Sequence, residues 1–351
     1  MTLSVTPLRV PEFYCPDPPQ VHPAAAELDR LGTRWLERSG ICPDPVRRER
    51  LARHRMGRFV ALTAPRGLDE RMQVVTDLNL WYHALDDTYG DAGPAGRHLG
   101  DLAAVFAGLL RALGTPESPA GEPFAEALRD IRLRLGRFAT PHQLTEWTRG
   151  LQNYFLYELW ESANRERRSL PDLDAYTVFC ADGRAANPSM TMLPIVGGYE
   201  LPGDEQQSRA VRALTEMSCV IACWDNDVYS YPKERLQGPH HANLLNVLAR
   251  ERGCDPADTV AEAVAMRDRV MCAFLRLRRR TVPHVSAPTA RYLADLGSWM
   301  RGQVEWGLSS IRFAAPEYAA VMPEHWADCP SDDSPGPLDI PSVAWWWSVD
   351  A

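Results

Sequence analysis

Asn226, Ser230 and Glu234 recur at i, i+4 spacing in the segment Asn226-Asp227-Val228-Tyr229-Ser230-Tyr231-Pro232-Lys233-Glu234. On a helix they form one stripe carrying an amide oxygen, a hydroxyl and a carboxylate. Three oxygen donors suit a hard divalent cation. Magnesium prefers octahedral oxygen coordination and commonly keeps waters and substrate phosphates as its other ligands, so the substrate would carry phosphate. Cys219, Ala222 and Cys223, on the Asn226 face just upstream, are small and apolar, and the stripe would open beside an apolar hollow. The competing reading is a solvated polar end of a core helix, because Asn, Ser and Glu are ordinary surface residues. Pro232 requires that the helix end or bend nearby.

A second acidic motif lies in Leu85-Asp86-Asp87-Thr88-Tyr89-Gly90-Asp91. Val75, Asn79, Tyr82 and Asp86 fall within about 40° of one line on a helix, so Asp86 ends a semi-apolar face with Asp87 beside it. Carboxylates at a helix C-terminus oppose the helix dipole and repel one another unless a cation sits among them. A divalent metal answers that; an exposed acidic helix end is the alternative. His83 with Asp86, Asp87 and His240 or His241 could instead form a His/Asp metal site of the phosphohydrolase type, a weaker pattern.

Helices must position both motifs. Pro7, Pro11, Pro16, Pro18 and Pro19 make residues 1–22 an irregular lead-in, whose Phe13 and Tyr14 have apolar surface to bury. Pro23 opens a helix that ends at Gly40, and Asp44-Pro45 starts the next as N-cap and first residue. Helical spacing continues over 69–88, 99–113, 123–139, 142–166, 172–186, 203–231, 255–282 and 288–313. Leu193 to Tyr199, with Pro194, Gly197 and Gly198, is expected to be a broken helix or turn. Period-2 runs are nearly absent and no fixed repeat is visible, which predicts an all-α domain over 23–315. Residues 316–351, rich in Pro, Asp and Ser, are expected to form a mobile tail whose Trp345, Trp346 and Trp347 dock on the domain or a partner.

The 351 residues are 45% hydrophobic with net charge -8, which argues against nucleic acid or an anionic membrane as partner. Arg276, Arg278, Arg279 and Arg280 are therefore expected to be a solvated helix face. The eight cysteines show no metal spacing and are expected to be reduced. No apolar run reaches the ~18 residues that would suggest a membrane span, and the N-terminus has no signal-peptide pattern. A soluble, cytoplasmic protein is expected.

Taken together, the two motifs resemble the aspartate-rich and NSE motifs of bacterial class I terpene cyclases, in the family's order and separation. Tyr14-Cys15-Pro16, Gly57 to Thr63, Gly197 to Pro202 and Tyr229-Ser230-Tyr231 are similar, more narrowly, to the 2-methylisoborneol synthase branch. The resemblance implies a single-domain class I terpenoid synthase bundle around a central apolar cavity, with three Mg2+ ions gripping a diphosphate between two helices. It implies Asp86 as a bridging ligand with Asp87 and Asp91 beside it, and Asn226, Ser230 and Glu234 as chelators of the third ion. Lys233 and Arg312 would bind diphosphate. Tyr82, Phe179, Cys219, Cys223, Trp299, Trp306 and Phe313 would line the cavity. Two departures stand out. Phe313 replaces a tyrosine, and Cys180 occupies the place of a diphosphate-sensing arginine, which Arg184 could supply if the helix break is shifted. The implied reaction is ionisation and cyclisation of 2-methylgeranyl or geranyl diphosphate to a cyclic monoterpenoid-type product with release of diphosphate. The alternatives are a sesquiterpene cyclase using farnesyl diphosphate and a catalytically impaired diphosphate-binding homologue. The resemblance also implies a homodimer as a common assembly.

Overall fold

A computed structural model describes residues 7–90, 98–238 and 240–349. Among them the chain forms α1 (Ala25–Ser39), α2 (Pro45–Ala52), α3 (Met56–Thr63), α4 (Asp69–Tyr89), α5 (Leu99–Gly114), α6 (Pro123–Leu135) and α7 (Pro141–Arg167). There follow α8 (Leu173–Asp182), α9 (Ala186–Gly197), α10 (Gly203–Gln206), α11 (Arg209–Glu234), α12 (Leu244–Arg252), α13 (Val260–Thr281) and α14 (Ala287–Ser309). The only strands among the described residues are β1 (Leu8–Arg9) and β2 (Ala320–Val321), paired in parallel. The all-α expectation holds.

The chain divides into two compact units, one of residues 1–18, 167–182 and 201–351, the other of residues 19–166 and 183–200. In the first, α11 is the hub and packs against α8, α12, α13 and α14. Ser208 caps it, accepting from the backbone N–H of Val211. Most of its length is buried all round, which explains why its sequence shows a polar stripe but no broad solvent face. In the second unit α4 is the hub, packed against α1, α3, α6 and α9. Each acidic motif therefore sits on a buried central helix.

Several boundaries differ from expectation. The helix expected over 172–186 breaks after Asp182 and resumes at Ala186 as α9, which carries Leu193 to Gly197 inside a regular helix; Gly198 caps it in the left-handed conformation (φ 74°). The last helix stops at Ser309, so Arg312 and Phe313 lie in the turn beyond it. α3 was not anticipated, and α12, whose start the sequence suggests at His240-His241, begins at Leu244 behind the Asn243 cap. Pro232 lies in the last turn of α11, where it removes one backbone hydrogen bond and the helix ends two residues later.

Two surface expectations also change. Three of the four arginines at the end of α13 are anchors, and Arg279 is exposed as expected: Arg278 holds Asp17 through two 3.0 Å bonds, while Arg276 and Arg280 donate to backbone carbonyls of Ser334 and Val349. The C-terminal segment is bound accordingly. Trp346 is 1% exposed and donates its indole N–H to Glu216 at 2.9 Å, and Arg209 and Arg212 flank the Trp345 ring. All eight cysteines are free. No helix among the described residues is long and apolar enough to cross a membrane.

Candidate active site

α11 sorts its acidic and polar groups by role. Asp225 is fully buried and takes a two-point contact from Arg267 of α13, at 2.6 and 3.0 Å. Asp227, one residue past Asn226, is also fully buried and accepts from Tyr176 and from the backbone N–H of Leu244. Both acids are thus consumed in packing α11 to its neighbours. The i, i+4 stripe between and beyond them is left for other work.

Within that stripe Asn226 donates its amide N–H to Tyr229 Oη at 2.9 Å, and Glu234 accepts from Asn243 Nδ2 at 2.9 Å with His241 Nε2 at 3.2 Å. Ser230 is different. Its side chain is fully buried and its Oγ has no hydrogen-bond partner among the described residues. Helical Ser and Thr commonly turn back to the carbonyl four residues earlier, as Thr215 and Ser218 do on this same helix at 3.0 and 2.8 Å. An unpaired buried hydroxyl costs about 1–3 kcal/mol. A cation bound between the amide, hydroxyl and carboxylate oxygens would satisfy it, so the donor set present fits a hard divalent metal.

Tyr229 ties this stripe to the end of α14. Its hydroxyl accepts from Asn226 and from Gln303 at 3.3 Å, and burial pushes its pKa well up, so it stays a neutral phenol. Phe313 packs its ring 5.1 Å from Tyr229 and 5.7 Å from Trp306, both nearly edge-on. Lys233 Nζ lies 5.9 Å from the Phe313 ring centre and the Arg312 guanidinium 5.8 Å from it. The structure thus gathers Asn226, Lys233, Trp306, Arg312 and Phe313 into one neighbourhood. Phe313, where a tyrosine would place a hydroxyl, serves as the ring on which both cations rest. Gly307 makes room for Tyr229: a Cβ there would lie 2.5 Å from the phenol ring.

Cys219 and Cys223 are buried on α11, the Cys223 thiol 3.5 Å from the Cys180 carbonyl. Cys180 is itself fully buried, and Phe179 beside it is half-buried. Trp299 is buried on α14.

On α4 of the other unit, Asp86 and Asp87 are half-buried. The Asp86 carbonyl accepts from Gly90 at 2.8 Å, and a Cβ at Gly90 would come within 2.5 Å of Asp86 Oδ1, so glycine leaves space for that carboxylate. Tyr82 is buried, its ring 5.7 Å from that of Tyr154. Burial raises the Tyr154 pKa well above the usual phenol range, and the charges of Glu158 and Asp86 add to this. Glu158 on α7, which the sequence did not single out, is thus a second carboxylate besides Asp86 whose charge reaches the Tyr154 phenol. Asp91 lies outside the described residues. Arg184 sits in the α8–α9 break, its guanidinium 5.7 Å from the Tyr157 ring centre. His83 has its ring 5.7 Å from that of His54, and no cluster of three or more His, Cys, Asp or Glu with metal-binding geometry occurs among the described residues.

Comparison with known proteins agrees with this chemistry. Residues 77–272 match the terpene synthase family 2, C-terminal metal-binding family. The chain is 35% identical to bonnadiene synthase of Allokutzneria albata over 98% of its own length and 99% of the relative's. It is 34% identical to the (2E,6E)-farnesyl diphosphate cyclizing (+)-T-muurolol synthase of Streptomyces clavuligerus, over 96% of this chain and 82% of that one. Among solved structures, the SVS_A2 protein from ancestral sequence reconstruction superposes with a TM-score of 0.88 at 33% identity, covering 97% of this chain and 98% of that one. A metal-binding family match that contains both motifs, and relatives aligned end to end, place this chain in the bacterial class I terpene synthase family, lyases that cyclise isoprenoid diphosphates.

Proposed function

We propose that this protein is a magnesium-dependent cyclase of farnesyl diphosphate, with Asn226, Ser230 and Glu234 as one set of metal ligands and Asp86, assisted by Asp87, as another. The unpaired, fully buried Ser230 hydroxyl in the middle of the stripe is the observation that carries this reading. The sequence reading put 2-methylgeranyl or geranyl diphosphate first. The farnesyl substrate is preferred because relatives matched over most of this chain, such as the T-muurolol synthase, bear that substrate in their names, whereas the likeness to the 2-methylisoborneol branch rests on four short stretches. Three Mg2+ ions per chain remain our expectation. So do a catalytic domain over 23–315 between lead-in and tail, a cytoplasmic location and a homodimer.

Bound Mg2+ would supply Lewis-acid stabilisation of the departing diphosphate. Lys233 and Arg312 would bind the diphosphate oxygens, Arg312 with a planar fork of donors. The rings of Tyr82, Phe179, Trp299, Trp306 and Phe313, with the Cys219 and Cys223 thiols, would give the carbocation an apolar surface with π faces and exclude water. Arg184 is the candidate diphosphate sensor in place of Cys180.

The test is incubation of the purified protein with Mg2+ and, separately, geranyl, 2-methylgeranyl, farnesyl and geranylgeranyl diphosphate, with products read by mass spectrometry. A cyclic C15 product formed fastest from farnesyl diphosphate is expected. A preference for 2-methylgeranyl diphosphate would return the assignment to the shorter substrate. Unchanged substrate throughout would reject an active cyclase.

A further inference from the structure

The segment joining α11 to α12 reaches back onto the last turn of α11. Asn243 is fully buried and uses all of its amide: Oδ1 caps α12 by accepting from the backbone N–H of Leu245 at 2.9 Å, while Nδ2 donates to the Asp227 carbonyl and to Glu234 Oε2, each at 2.9 Å. His241, 5% exposed, brings Nε2 to 3.2 Å from the same Oε2. Its backbone is fixed in turn, because Asn246 donates to the His241 carbonyl at 2.9 Å and itself accepts from Tyr231 of α11 at 3.3 Å. Two donors from one anchored segment thus converge on one oxygen of Glu234.

We infer that Asn243 and His241 are positioning residues that set the plane and rotation of the Glu234 carboxylate for metal binding, an inference that rests on Glu234 being a metal ligand. Two physical points support it. Any good N-cap residue could start α12, since Ser, Thr and Asp cap as well as Asn, but of these only Asn also donates two hydrogens. A free glutamate side chain on a helix end rotates about three single bonds, and hydrogen bonds from outside the ligand set are the usual means of holding such a ligand; their loss typically weakens metal affinity by about 10- to 100-fold.

The experiment measures the Mg2+ concentration for half-maximal binding of inorganic diphosphate, by calorimetry, alongside the Mg2+ dependence of turnover. Parent, Asn243→Ser, His241→Leu, His241→Gln and Glu234→Gln are compared. Asn243→Ser keeps a cap for α12 but cannot reach Glu234; His241→Leu removes a donor outside any helix, so it carries the test should the first variant fold poorly. Both are expected to raise the half-saturating Mg2+ concentration about tenfold, with His241→Gln, which retains a donor, closer to the parent. A purely structural role would lower the melting temperature and leave that concentration unmoved. Half-saturation within twofold of the parent in Asn243→Ser and His241→Leu, with Glu234→Gln strongly weakened, overturns the positioning role alone. An unchanged value in Glu234→Gln overturns the metal-ligand assignment beneath it.

Discussion

Ser230 holds the clearest conflict between stability and function in the chain. Its hydroxyl is buried without a partner, while Ser218 on the same helix satisfies its own by back-bonding to Leu214. Removing an unsatisfied group relieves a desolvation cost of about 1–3 kcal/mol. Ser230→Ala is therefore expected to melt at the same or a higher temperature than the parent in metal-free buffer, while Mg2+-dependent turnover falls about 100-fold. A clear drop in melting temperature would show the hydroxyl to be structural. The proposed ligand stripe is visible in the sequence because spacing alone places Asn226, Ser230 and Glu234 on one line. The residues that orient it were not. Asn243, His241 and Gln303 meet Glu234 and Tyr229 through tertiary folding, and nothing in their local sequence distinguishes them from ordinary capping or core residues.

At the level of elements, the contact of α11 with α14 depends on Gly307 as much as on any large side chain. A Cβ there would stand 2.5 Å from the Tyr229 ring, so Gly307→Val must push the ring or split the helices. A loss of about 1–3 kcal/mol in urea unfolding is expected, as for overpacked cores, together with weaker Mg2+ dependence because Tyr229 holds Asn226. An unchanged unfolding midpoint would show that the packing is looser than described.

In the other unit α4 is tied to α6 by Asp77, which accepts from Arg134 at 2.7 Å and from Gln73. Burial nevertheless pushes the Asp77 carboxyl up to about 6, against the pull of Arg134. Because the folded state holds this proton more tightly than the unfolded chain, with its ordinary value of 3.8, the stabilising term is fully present below that value and is lost as pH rises to about 6. Between pH 4 and 6 the parent should therefore lose more stability with rising pH than Asp77→Asn. Parallel urea-derived stability curves for the two proteins would refute it.

Most helices were readable from periodicity and caps, such as Asp44-Pro45 opening α2. The α8–α9 break was not, since Gly183 is tolerated in a helix pattern at about 1 kcal/mol; Pro188, in the first turn of α9, was the overlooked start signal. α3 escaped because seven of its eight residues are buried, which erases the amphipathic period.

Across the molecule, the charged residues divide between structure and chemistry. Arg267 gathers Asp225, Asp268 and the Tyr14 carbonyl, and Asp268 in turn accepts from Ser331, so the lead-in, α11, α13 and the C-terminal segment share one buried ionic network. That network explains why residues 7–18 and 331–349, irregular by composition, are built into the first unit; proline content speaks to local conformation, and these contacts are all long-range. The net charge of -8 opposes a general attraction for polyanions, so on the proposed reading an anionic diphosphate would be drawn by bound cations and by Lys233 and Arg312. The most direct test is the rate of diphosphate release from farnesyl diphosphate with Mg2+, after chelation with EDTA, and in Glu234→Gln. The account predicts release in the parent that chelation abolishes and added Mg2+ restores, with a loss of about 100-fold or more in Glu234→Gln. Release that persists after chelation, or that is equal in Glu234→Gln, would contradict it.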